Sequence, residues 1–141
     1  MAASARSLYF ENSHGRLWEE PAGYLRLEYK AGPREQVPFR ALLTHAAQAM
    51  SRRRWSRMLV DQREMAPFNP TEQDWMTNEW LPRAVTEHGY RLGAILVAHN
   101  VFARLATNQF VMATRDLPHT YRTFESEAEA VAWLAAPGNP N

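Results

Sequence analysis

"LGAILVAH", residues 92–99, decides the fold. The run is apolar without alternation and too short for an ordinary helix, so it reads as a strand covered on both faces. "RMLVD", residues 57–61, reads the same way through Met58, Leu59 and Val60. Two such strands, separated and followed by helical patterns, point to a sheet packed between layers rather than to an all-β sandwich.

The segments between them carry the helical period. Phe39, Leu42, Leu43, Ala46 and Met50 are spaced for an amphipathic helix from Pro38 to about Arg53. "NPTEQDW", 69–75, opens a second helix. Asn69 caps it, Pro70 takes the first turn and Glu72 completes a capping box. Pro82 inside this helix predicts a kink or a restart, and Gly89 ends it. Asn100 caps a third helix bearing Val101, Phe102, Leu105 and Ala106, with a bend expected near Asn108. "TYRTF" is the last strand. Ser126 and Glu129 box the last helix, which turns Ala130, Trp133 and Leu134 inward.

Upstream, residues 16–20 and 24–30 form a hairpin around Pro21, Ala22 and Gly23. Leu25, Leu27 and Tyr29 alternate with Arg26 and Glu28, which gives one covered face and one partly wet face. The expected order is β-β-α-β-α-β-α-β-α. This is an α/β fold with a single layer of mostly parallel sheet, an N-terminal hairpin and about four flanking helices. Residues 16–136 form one domain, between a loose N-terminal tail, 1–15, and a C-terminal tail, 137–141.

Composition removes several function classes. The chain has 141 residues and no cysteine, which excludes disulfides, thiol nucleophiles and zinc–thiolate sites. It fits a cytoplasmic protein. The formal charge is +1, so no general basic surface for nucleic acid is expected. No apolar run reaches the ~20 residues of a membrane span. No glycine-rich loop follows a strand, so phosphate and dinucleotide motifs are absent. His14, His45, His88, His99 and His119 show no metal-ligand spacing, and no metal or cofactor is expected.

The opening hairpin, "LVDQRE", "EWLP", "GAILVAHNVFARLATNQF" and the closing "YRTFESEAEAVAWL" together resemble the SpoIIAA-like group of small α/β domains, which includes the STAS and SEC14-like proteins. The resemblance spans about residues 16–136 and implies a fold and a style of binding. Antagonist-type STAS domains carry a phosphorylatable serine in an Asp-Ser-Ser/Thr-Gly turn after a middle strand. Here the matching stretch is "VDQREMAPFNP": the aspartate stands, the serine and glycine do not. A kinase-switched role at this position is therefore not implied. SEC14 domains are larger and enclose a lipid.

The candidate site residues follow from the fold class. Ligands of open α/β sheets sit outside the carboxyl ends of parallel strands, near a reversal of strand order. Asp61 and Arg63 lie at one such end. Arg63 could hold an anion with its fork, or the two could form a local ion pair. His99 and Asn100 lie at the next end, with Arg104 one turn on. Asp61 with His99 would allow acid–base chemistry, but no serine or cysteine nucleophile accompanies them. Trp75, Met76 and Trp80, with Phe68, either pack the core or leave an apolar patch. "SRRRWSR", 51–57, reads as a solvated helix end. The expectation is a non-enzymatic binding or regulatory module. It would use Asp61, Arg63, Trp75, Trp80, His99, Asn100 and Arg104 toward a protein partner or a second copy. The alternative is a small apolar or anionic ligand, a lipid or organic anion, in the same cleft.

Overall fold

The sheet runs in chain order. The computed structural model describes residues 5–137, and six strands lie side by side in the sequence β1-β2-β3-β4-β5-β6. Strands β1 (Ser7–Asn12), β2 (Gly15–Glu20) and β3 (Tyr24–Tyr29) form an antiparallel meander. Strands β4 (Arg57–Asp61), β5 (Leu92–Leu96) and β6 (Thr120–Phe124) then add in parallel. The expected α/β class holds, with a mixed sheet rather than a mostly parallel one.

Each parallel strand is reached by a helical crossover. Helix α1 (Gln36–Arg53) joins β3 to β4 and α4 (Val101–Ala113) joins β5 to β6. Between β4 and β5 runs one continuous rod: α2 (Pro70–Trp75), a π turn (Met76–Trp80) and α3 (Leu81–His88). Right-handed crossovers that always step the same way must lie on one side. Accordingly Phe39, Leu42 and Leu43 of α1, Leu81, Ala84 and Val85 of α3, and Ala103 and Phe110 of α4 share one core with Leu25, Leu27, Met58, Val60 and Ile95. The opposite face carries a smaller core, Tyr24, Leu59, Leu92, Ala94 and Leu96, closed by Ala130 and Leu134 of α5 (Glu127–Leu134). Gly93 sits where the Tyr90 and Tyr121 rings approach the strand; a Cβ there would meet both.

Three expectations are corrected. The loose tail assigned to 1–15 contains β1, paired with β2 through a bulge between Leu8 and Phe10. The bulge turns Tyr9 and Phe10 both toward the main core, which erases the alternation that would have marked a strand. Residues 138–141 of the proposed C-terminal tail lie outside the described residues. Helix α4 runs unbroken through Asn108 to Ala113. It buries Ala103, Ala106, Thr107 and Phe110, while Val101, Phe102 and Leu105 are exposed. The strand begun at Leu92 ends at Leu96, short of His99.

The Pro82 restart takes the form of the π turn. Proline offers no N–H and its ring displaces the carbonyl one turn back. The Leu81 N–H reaches back to the Met76 carbonyl, five residues away, and the widened turn lets the rod continue. At its start, the Asn69 side chain accepts from the Glu72 N–H at 2.7 Å and Glu72 accepts from the Asn69 N–H at 2.9 Å.

Candidate functional site

Residues facing the second side of the sheet alternate with the core positions, so their rows follow from register. Arg16 pairs with Glu28, and Glu28 with Asp61; Trp18 pairs with Arg26, and Arg26 with Leu59. Helix α5 covers this side over β4, β5 and β6. The uncovered part is a row of charges at the carboxyl ends of β3 and β4.

Arg26 organises that row. It is 3% exposed. Its guanidinium donates to Glu28 at 3.1 Å, to Asp61 at 3.1 Å and to both Glu127 oxygens at 3.2 and 3.3 Å. Glu127 opens α5, where a carboxylate also complements the helix dipole. Arg63 closes the circuit: its Nε and Nη2 donate to the two Asp61 oxygens at 3.0 and 2.9 Å, and Nη2 also reaches Glu127 at 3.2 Å. The Arg63 N–H adds a third bond to Asp61 at 3.1 Å. Trp18 Nε1 donates to Glu28 at 2.9 Å. A buried guanidinium is tolerable only with such pairing. Burial by itself would raise the Asp61 carboxyl; the Arg63 hydrogen bonds and the charges of Arg63 and Arg26 outweigh it and hold the group below its ordinary value of 3.8.

Above this network opens a cleft of about 500 Å³, lined by Arg16, Glu28, Tyr29, Lys30, Asp61, Arg63, Glu64 and His99. Backbone bonds brace its far wall: Gln62 N–H to the Leu96 carbonyl at 3.1 Å and His99 N–H to the Arg63 carbonyl at 3.0 Å. His99 is exposed, with Glu64 3.5 Å from its Nε2. Asp61, Arg63 and His99 are thus brought together as the strand-end argument expects. The reason differs from the expected one, because the strand order never reverses. The cleft exists because α5 leaves this part of the sheet open.

The other expected site residues lie elsewhere. Asn100 caps α4, accepting from Phe102 and Ala103 at 2.8 and 3.1 Å. Arg104 donates to the Ala98 carbonyl and lines a second cleft, of about 420 Å³, with Arg122, Phe124 and Glu129. Trp75 and Trp80 line a groove of about 190 Å³ between α1 and the rod, on the opposite side of the sheet from the charge network. Trp80 is 6% exposed and donates to the Leu43 carbonyl at 2.6 Å; Trp75 is half-buried on Phe39 and Arg40. Trp80 is therefore a core residue.

Arg26, Glu28, Trp18 and Glu127 are the residues sequence reading missed. Arg26 and Glu28 carried the signal of the wet strand face, and Glu127 that of an acidic first turn. Nothing local said that the two would meet across 101 residues.

The network is spent on itself. Both Asp61 oxygens are taken by arginines, so the group is an ionised acceptor rather than a free base. Among the described residues no group of three His, Asp or Glu side chains is arranged to hold a metal ion. None of the described helices is long and apolar enough to cross a membrane. No family model, curated protein or solved structure matches the chain.

Proposed function

We propose that this chain is a non-catalytic binding module of STAS-like type, working in the cytoplasm through association with protein. One observation carries the reading: the charges at the strand ends are locked into fixed pairs. Asp61 and Arg63 present a rigid charge pattern at the floor of an open cleft, with Lys30, Glu64 and His99 on its rim. Preorganised charges of both signs serve recognition and register. General acid–base work needs a group free to exchange its proton, and Asp61 has none of that freedom. The absence of the Asp-Ser-Ser/Thr-Gly turn leaves the association constitutive rather than switched by phosphorylation at this strand end.

Native mass spectrometry of freshly purified protein tests the reading. Protein association without added small-molecule mass is the expected result. A monomer carrying a bound small molecule would overturn it. That outcome would favour a second reading, a small organic anion held in the strand-end cleft. Its support is the cleft volume and the cations Arg16, Lys30 and Arg63 around it. Under that reading Arg63→Ala removes the thermal protection the ligand gives.

A further inference from the structure

The winding of the chain changes side once. After β3, β4 and β5 it crosses to the face that holds α1, the α2–α3 rod and α4. After β6 it turns to the other face and enters α5. The loops that leave β5 and β6 therefore part to opposite sides, although the two strands are neighbours. Diverging loops leave a crevice between them above the strand ends, and in open α/β sheets that crevice is where ligands bind. The loops after β3, β4 and β5 all leave on one side, so the charged cleft at β3 and β4 is an uncovered sheet face rather than a crevice of this kind.

The crevice is the cleft of about 420 Å³ lined by Val97, Arg104, Arg122, Phe124, Glu125 and Glu129. Its volume lies in the ~300–1,000 Å³ range of small-molecule sites. Arg104 comes from α4. Its Nε donates to the Ala98 carbonyl in the β5–α4 loop, which fixes the guanidinium and leaves both terminal amino groups to the cleft. Arg122 comes from β6 and lies over the Phe124 ring, 5.3 Å from its centroid. Among the described residues Arg122 makes no hydrogen bond and neither arginine has an ion pair. The charged cleft is the reverse: Arg16, Lys30 and Arg63 are paired there with carboxylates at 2.8, 2.9 and 2.9 Å.

We infer that the β5–β6 crevice binds a small phosphate monoester that also carries hydroxyl groups. A guanidinium fork matches two oxygens of an anion. One fork satisfies a planar carboxylate; Arg104 and Arg122 together suit a tetrahedral dianion with three oxygens to share. Glu125 and Glu129, on the α5 side, accept from hydroxyls of the rest of the molecule and repel a polyanion, which sets the site against a nucleic-acid backbone. The site is separate from the charged cleft and needs no partner protein, so it goes beyond the association reading. Both arginines are exposed, so the ligand exchanges with solvent and is lost on purification.

Proton–nitrogen NMR of the full chain, titrated with glycerol phosphate, tests this. The amides of Val97, Thr123 and Glu125 and the Nε–H signals of Arg104 and Arg122 should shift and saturate, while the amides of Asp61, Arg63 and His99 stay in place. Arg122→Gln changes an exposed side chain and should raise the dissociation constant about tenfold with an unchanged melting temperature. Arg122→Lys keeps the charge without the fork and should fall between the two. Glu129→Gln should bind inorganic phosphate more tightly and lose part of the preference for glycerol phosphate over it, a change that altered packing would not produce. No saturable shift would overturn the inference. So would equal affinity in the wild type and Arg122→Gln. Saturable shifts confined to Arg63 and His99 would overturn it too, and would place the anion in the charged cleft.

Discussion

Asp61 sets an acid limit on stability. Its carboxyl is held below 3.8 when folded. The unfolded chain therefore takes up the proton first, and the stabilisation present above 3.8 is lost as pH falls through the folded value. Asp61→Asn should flatten the loss of stability between about pH 5 and about pH 2 in denaturant titrations. His119 adds a separate, higher window. Its half-buried ring titrates below its ordinary 6.5 because burial disfavours the imidazolium. Its contribution is present above 6.5 and fades below it; His119→Gln should remove that upper leg alone. Arg54 offers a gain: it takes the left-handed conformation, φ 58°, at the end of α1, where glycine is the usual occupant. Arg54→Gly should raise stability by about 0.5–1 kcal/mol in chemical denaturation. At this scale the sequence showed which residues carry charge at the strand ends. The local Asp61–Arg63 ion pair was one of its two readings and is the one formed; that Arg26 and Glu127 join the pair from two other elements was not legible.

Among the elements, the β4–α2 loop is held by one buried pair. Arg34 donates to both Glu72 oxygens at 2.8 Å and to the Ala66 and Pro67 carbonyls at 2.9 Å. Phe68, Phe39 and Tyr29 surround its guanidinium at 5.2–6.0 Å. The same Glu72 completes the cap of α2, so one carboxylate anchors a loop, a helix start and a buried cation. Glu72→Ala strands that cation and should cost about 3–5 kcal/mol by urea unfolding. Trp80→Ala should cost about the same, because it empties a core site at the π turn. Helix starts were legible because caps are local: Asn69, Asn100 and Ser126 all cap as their spacing predicts. Strand β1 was not, because its bulge breaks the two-residue period. The outward stripe of α4 was not legible because leucine, valine and phenylalanine on a helix ordinarily face the core, and here Ala103, Ala106, Thr107 and Phe110 do so.

At the scale of the whole molecule, strands β2 to β6 and the crossovers follow from the order of apolar runs, while the sixth strand, β1, does not. The one-sided winding does not, because periodicity is silent about which neighbour a strand joins. Helices α1 to α4 thus share a side and leave α5 alone on the other. That asymmetry opens the charged cleft, and the outward stripe of α4 lies on the crowded side, away from it.

The chain-order sheet also bears on how the protein is made. Every strand pairs with the one synthesised just before it, so each finds its edge waiting as it emerges from the ribosome. Helix α5 reaches back over strands made well before it. It arrives last, lays Ala130 and Leu134 over strands long finished, and brings Glu127 to an Arg26 made 101 residues earlier. Synthesis can therefore proceed as simple accretion, with a final clasp that adds Glu127 to the Glu28 and Asp61 carboxylates already around Arg26.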